Sequence, residues 1–324
     1  MTRIHRGADE TDPRRTRAIV DGDRVRLADL LIELTATDLQ RAEAIASVLG
    51  ALPRGNGAPD LTIRFDDEQR GVPEREPDEE YPDLSVWRQG EELLLRHRDD
   101  VTARATTSGF AVGGKSDALR SAFRRISQPA LTHVLGHHDR FVLHGGAIAR
   151  NARAVVLLGA TGQGKSTLVA AAASVGWKVL GDDLVILSSG PDGPRIVGIP
   201  KTVAIPSELG IKVPIAGRIP GDPRGRYELP PEVLTPGWHT LGAALRVAHG
   251  KEADSELEPF SGPRLMRFVI GSFPSAANPD LLQRFYPLAG TISRLPGWTL
   301  RHSADLAQRL ESSARALDVL ATNL

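Results

Sequence analysis

Apolar positions along this chain change their period near the middle, and the change divides it. At Thr37-Asp38-Leu39-Gln40 the residues have the pattern of a capping box, after which Leu39, Ala42, Ile45, Ala46 and Leu49 share one helical face until Gly50 stops the helix. Leu61 to Phe65 (LTIRF) alternates with the period of a half-buried strand. Asp66 to Asp83 is acidic and carries prolines, so it reads as a solvated loop. LSVWRQ and ELLLRHR follow as two strands joined across Gly90, with a further run, VTARATT, behind them. Short strands with a helix or two predict a small, largely antiparallel α+β domain over residues 18–115, in which no catalytic motif is legible. Residues 1–17 have neither periodicity nor enough apolar side chains to order them, and are expected to form a disordered tail.

Ser116 to Gly136 reads as a helix with Leu119, Phe123 and Ile126 inward, kinked or interrupted at Pro129. A second domain, residues 116–324, is expected to begin there. From Phe141 the pattern runs strand (FVLHGGAIA), turn (RNAR), strand (AVVLLG), loop (ATGQ), helix (GKSTLVAAAASVG) and strand (WKVLGDDLVIL), which is a βαβ unit. Ser188-Ser189-Gly190 signals a turn, and the Gly- and Pro-rich stretch to about Leu234 is expected to form long loops over the edge of the sheet. AALRVAHG and GWTLRH read as strands and GPRLMRFVIGS as a short helix. With Ser303 as its N-cap, a closing amphipathic helix carries Leu306, Leu310, Leu317 and Leu320 inward.

Composition narrows the function classes. The chain has 324 residues, 41% of them hydrophobic, enough for a sizeable core. Lys plus Arg and Asp plus Glu both total 40, so no overall field draws polyanions, and nucleic acid is not an expected partner. There is no cysteine, which excludes disulfides, thiol catalysis and thiolate-bound zinc. The polar N-terminal stretch lacks an apolar run, and the weakly polar Leu168 to Trp177 is too short to span a bilayer; a cytoplasmic location without membrane attachment is expected.

The chemistry starts at Gly159-Ala160-Thr161-Gly162-Gln163-Gly164-Lys165-Ser166-Thr167, which fits G-x-x-x-x-G-K-[ST] between a buried strand and a helix. Backbone N–H groups of such a loop surround phosphate oxygens, Lys165 reaches the β- and γ-phosphates, and the Ser166 hydroxyl is a magnesium ligand. Asp182 and Asp183 then lie inside an apolar run only 17 positions after Lys165. Two carboxylates are expensive to bury there, and beside a phosphate loop one can hold magnesium while the other takes a proton from an attacking hydroxyl. Switch GTPases and motors carry their metal-binding Asp farther along the chain, so the short spacing favours a phosphotransferase. His144, in the strand before the phosphate strand, reads on its own as a structural histidine. His137 and His138 have no further ligand at a metal-site interval and read as helix-end or loop residues. Arg224 and Arg226 read as solvated loop residues that could also stand near an acceptor.

Taken together, His144-Gly145, the loop Gly159–Thr167 and Asp182-Asp183 resemble the catalytic domain of HPr kinase/phosphorylase and its relatives, which are structurally akin to phosphoenolpyruvate carboxykinase. The resemblance is strong over Phe141 to Leu187 and does not reach the N-terminal third. It implies an α/β phosphate-loop kinase core preceded by the small α+β domain. ATP and magnesium are the implied cofactors, with Lys165 and Ser166 on phosphate and metal, and with Asp182 and Asp183 dividing base and metal roles. His144 would face the transferred group, and a serine hydroxyl would accept it. Downstream, the family's E-I-R-G-L-G-like signature is replaced by Pro206-Ser207-Glu208-Leu209-Gly210-Ile211. Glu208 stands as a second metal ligand, but the arginine is absent, so neither phosphorylase activity nor HPr as acceptor is implied. Divergent kinases of this group use other acceptors, including the terminal serine of modified peptides such as lasso-peptide precursors. A homo-oligomer is compatible with the resemblance, although no interface is legible.

The expected function is therefore an ATP- and magnesium-dependent kinase acting on a hydroxyl of a peptide, protein or small molecule. A small-metabolite kinase of the shikimate type also has an early acidic residue, but lacks the upstream His-Gly strand and the long following segment. A nucleotide-binding regulator that transfers nothing would leave the carboxylate pair without a role. No L-S-G-G-Q-like or N-K-x-D segment is present, which sets aside transporter-type ATPases and GTPases.

Overall fold

The computed structural model describes residues 22–50, 52–98, 101–115, 119–199, 203–204, 217–218, 226–252, 254–274, 278–305, 308–322 and 324. The tail expected at 1–17, Ser116, Glu208, Arg224 and Leu306 lie outside them. Within them the chain is a mixed α/β protein built on two large sheets and a small three-stranded one. No described helix is long and apolar enough to cross a membrane.

The first sheet contains β1 (Asp23–Leu27), β2 (Leu30–Ala36), β3 (Leu61–Asp66), β4 (Glu79–Tyr81), β5 (Leu84–Gln89), β6 (Glu92–His97), β7 (Val101–Thr106) and β8 (Gly109–Gly114), in the order β1-β2-β3-β8-β7-β6-β5-β4. β3 runs parallel to both β2 and β8, and the other described pairings are antiparallel. Helix α1 (Leu39–Leu49) makes the crossover that the parallel pair β2–β3 requires. Its cap is Asp38 rather than the expected Thr37. The Asp38 carboxylate accepts from the Arg41 backbone N–H at 2.9 Å and also meets the Arg41 guanidinium, whereas Thr37 spends its own N–H on Phe65 of β3. β1 and β2 were not read from the sequence, although Val25 and Leu27 of β1 and Ile32 and Leu34 of β2 are buried at alternate positions; each offers only a short run of that period.

Helix α2 (Leu119–His137) is continuous through Pro129, where a kink or an interruption was expected. The carbonyl deprived of its donor belongs to Arg125, an exposed residue. The buried face of α2 fills the space between the two sheets. Phe123 stacks on Phe65 at 5.4 Å, and the same core takes in Val142, Leu184, Ile186 and Val197 from the second sheet. A polar tie supplements it: Asp29, in the β1–β2 turn, pairs with Arg140 and Arg195.

The second sheet is made by β9 (Phe141–His144), β10 (Gly146–Arg150), β11 (Arg153–Leu158), β12 (Lys178–Gly181), β13 (Leu184–Gly190) and β14 (Gly193–Gly198), followed beyond the small sheet β15 (Val203–Ala204), β16 (Gly217–Arg218) and β17 (Arg226–Glu228) by β18 (His239–His249), β19 (Glu256–Pro259) and β20 (Gly297–His302). Its order is β12-β10-β11-β18-β14-β13-β9, with β20 pairing on both β18 and β19. Helices α3 (Lys165–Ser174) and α6 (Arg309–Ala321) share one core with Val155, Leu157 and Leu245, and α4 (Pro263–Gly271) and α5 (Pro279–Ile292) share another with Val156 and Leu158. Alternate residues of β11 therefore serve opposite faces. α5 was not read from the sequence because its prolines, Pro279 and Pro287, hide its periodicity. β14 and β19 were likewise lost among glycines and prolines. Ser303 is not the cap of α6; its hydroxyl accepts from the Asp305 N–H at 3.0 Å, and the helix starts only at Arg309.

One departure from the expected strands matters for the site. FVLHGGAIA is not one strand but β9 and β10, broken at Gly145, and WKVLGDDLVIL is β12 and β13, broken at Asp182-Asp183. β9 pairs with β13 at one end of the strand order and β10 with β12 at the other. His144 and Gly146 are separated by a single residue, so the sheet must curl until its two ends meet. Both breaks lie on that seam, linked by the Gly145 N–H donating to the Asp183 carbonyl at 3.1 Å. Gly145 is required there, since a Cβ would stand 2.7 Å from the Leu157 carbonyl oxygen of β11.

Candidate active site

The loop from Gly159 to Gly164 leaves the end of β11, beside the ends of its parallel neighbour β18 and of β20 beyond it. Crevices outside the carboxyl ends of parallel strands are where α/β sheets bind ligands. Helix α3 then starts at Lys165 and is buried on all sides from Thr167 to Ala173, its alanines allowing close approach to the sheet and to α6. Its N-cap is Gly164, at φ 90°, and it supplies no side-chain hydrogen bond. The first-turn N–H groups are thus left to an outside acceptor, and the helix dipole favours an anion. Ala160, Thr161 and Gly162 at the crown are exposed, Gln163 and Ser166 are half-buried, and Thr167 is buried.

Lys165 is buried at 7% exposure, with its ammonium donating to the carbonyls of Gly159 at 2.7 Å and Ala160 at 3.2 Å. His144 Nε2 lies 3.5 Å from the same nitrogen. Burial pulls the Lys165 pKa below the ordinary lysine value, while the charges of Asp182 and Asp183 oppose that pull. The structure thus brings Lys165, His144, Asp182 and Asp183 together on the seam. Asp182 is buried at 2% exposure, whereas Asp183 is half-buried and more accessible. His144 ends β9, and its backbone N–H is anchored on the Ser272 carbonyl at 3.1 Å, where α4 stops.

The donor chemistry suits a nucleotide polyphosphate and a hard cation. The uncapped α3 N-terminus and Lys165 match phosphate oxygens. The Ser166 hydroxyl and the two carboxylates are oxygen donors of the kind magnesium takes together with phosphate and water. Among the described residues no three His, Asp or Glu side chains form a ready cation cage by themselves. Glu208 and Arg224 lie outside the described residues. His137 ends α2 and His138 meets the Thr107 carbonyl at 2.8 Å, as expected of helix-end residues.

Sequence reasoning missed the histidines that hold the loop. His249, ending β18, contacts the Gly162 carbonyl through Nε2 at 2.9 Å, and its backbone N–H donates to the Gln163 side chain at 3.1 Å. His302, ending β20, contacts the Gly164 carbonyl at 3.0 Å. Both close apolar strand runs, RVAH and WTLRH, but only the parallel pairing of β11, β18 and β20 places them at the loop.

No family model and no curated protein matches the chain. Among solved structures it is similar to the Hpr(Ser) kinase/phosphatase from Coxiella burnetii, at 13% identity over 56% of this chain and 93% of that one, with a TM-score of 0.30. A likeness of that extent assigns no activity, and the chemistry rests on the residues of the seam.

Proposed function

We propose that the chain is an ATP- and magnesium-dependent kinase that transfers the γ-phosphoryl group to a hydroxyl, with serine of a peptide, protein or small molecule as the acceptor class. One observation carries the reading: the glycine loop, Lys165, His144 and the Asp182-Asp183 pair meet where the curled sheet closes. A site that only bound nucleotide would leave the carboxylate that does not meet magnesium without a role.

In this reading the first-turn N–H groups of α3 and the Lys165 ammonium hold the β- and γ-phosphates. The Ser166 hydroxyl and Asp182 would hold magnesium, with Glu208 as a further ligand, and the bound cation would supply positive charge against the transferring group. Asp183, the more accessible carboxylate, takes the proton of the acceptor hydroxyl as that oxygen attacks the γ-phosphorus. The new O–P bond forms in line with the breaking bond to the β–γ bridging oxygen, and ADP leaves. His144, next to Lys165, orients the group being transferred.

The test is incubation with labelled ATP and magnesium against serine peptides, free amino acids and small hydroxyl compounds, with Asp183→Asn as control. Label should reach an acceptor with the parent protein and not with the variant. Tight ATP binding with no transfer to any acceptor class would make the protein a binder instead.

A further inference from the structure

We propose that His302 is a positioning residue of the phosphate loop, holding the Gly164–Lys165 peptide so that the Lys165 N–H faces the bound phosphate, with Ser313 fixing the tautomer that does so. The proposal rests on the nucleotide-binding reading above and adds to it a device built from the C-terminal elements.

Atom chemistry decides the tautomer. The Gly164 carbonyl only accepts, so His302 Nε2, at 3.0 Å, must carry the proton. Burial is complete at 0% exposure and pushes the imidazole down to about 4, so the ring is neutral and Nδ1 keeps a lone pair. Ser313 on α6, with Oγ 2.9 Å from Nδ1, must then donate. That donation excludes the alternative tautomer, which would point a lone pair at the carbonyl oxygen.

The geometry carries this into the site. In a trans peptide the carbonyl and the following N–H point in opposite directions. With the Gly164 carbonyl held by the ring, the Lys165 N–H points away from it. Gly164 itself needs to be glycine, because at φ 90° a Cβ would stand 2.6 Å from ring atoms Cδ2 and Nε2 of His302. The ring is thus the wall against which the last loop residue is set. The Gly164 carbonyl also accepts from the Leu168 N–H at 2.9 Å, so the same atom anchors the first turn of α3.

The experiment measures affinity for ATP with magnesium by calorimetry in the parent protein, His302→Leu, His302→Gln, Ser313→Ala and Leu317→Ala. Gln keeps an N–H donor near the position of Nε2, and Leu317 is an α6 core residue that controls for lost stability alone. His302→Leu should bind about tenfold more weakly, as expected for one buried hydrogen bond left unmade. His302→Gln should recover most of that loss, and Ser313→Ala should weaken binding by about threefold or more. Leu317→Ala should melt earlier with unchanged affinity. If His302→Leu does not fold, Gln and Ser313→Ala decide. Parent-like affinity in both His302→Leu and Ser313→Ala, or Gln no better than Leu, overturns the positioning role while leaving nucleotide binding intact. A parent protein that binds no nucleotide overturns both.

Discussion

Two buried histidines make stability fall as the solution is acidified through a window that carboxylates alone do not explain. His302 and His133 are both pushed down to about 4 from the ordinary 6.5, in each case first by burial. Around His302 the charges of Arg309 and His249 act in the same direction, and around His133 those of His137 and Arg88 do, while their carbonyl partners Gly164 and Glu91 oppose it. The sign follows from linkage. Between pH 6.5 and 4 the unfolded chain binds a proton at each site that the folded chain does not, so stability present above 6.5 is lost as pH falls. For one site with these values, the loss between pH 7 and pH 5 is about 2 kcal/mol, and for both about 4 kcal/mol. Urea unfolding of the parent, His302→Gln and His133→Gln at the two pH values reads it directly. Each variant will be less stable at both pH values, but its loss on acidification should be smaller than the parent's by about 2 kcal/mol. An identical loss in parent and His302→Gln would refute the account, because the shared carboxylate contributions cancel in the comparison.

Lys165→Ala is expected to abolish nucleotide binding in an equilibrium assay, whereas Asp183→Asn should keep it and lose label transfer; transfer at the parent rate by Asp183→Asn would remove that carboxylate from the chemistry. Gly164→Ala combines a left-handed φ of 90° with a Cβ 2.6 Å from His302, and should lower unfolding free energy by about 2 kcal/mol or more while weakening ATP binding. Phe285→Ala empties the cluster formed with Phe141 at 5.1 Å and Phe273 at 4.8 Å, and should cost about 3–5 kcal/mol in urea unfolding with the site chemistry retained in the folded fraction.

What was legible in the sequence follows from where local rules operate. The strand, glycine loop and helix around Lys165 were readable because a short continuous apolar run, a glycine pattern and a helix start are all local. The amphipathic α1 and the alternating LTIRF were readable for the same reason. β2 was not, because Leu30, Leu31 and Ile32 at its start are buried in succession and only Ile32 to Thr35 alternates, too short a run to stand out. α5 was hidden by its own prolines, at N1 where proline is tolerated and at 287 inside the helix. His249 and His302 reach the loop only through the pairing of β11 with β18 and of β18 with β20, strands whose partners lie far apart in the sequence (Arg153 with Thr240, Ala244 with Gly297), where no local rule acts. The Asp182-Asp183 pair was recognised as anomalous inside an apolar run, yet the consequence, two strands departing to opposite ends of one sheet, required knowledge of the partners.

That consequence explains how the carboxylates are tolerated. A regular strand would send Asp182 and Asp183 to opposite faces, one of them into an apolar core at a cost of several kcal/mol, an order-of-magnitude figure for an ion left in low dielectric. At the break the ladder has ended, and both residues lie within electrostatic reach of the Lys165 ammonium. His144, at the matching break, joins them because Leu184 is its direct partner across β9 and β13. The charge balance of the group then bears on the proposed reaction. The two carboxylates oppose the attraction that Lys165 and the α3 N-terminus exert on a polyphosphate. On the proposed chemistry, a divalent cation held by Asp182 and Ser166 would supply the counter-charge that lets phosphates sit beside the carboxylates.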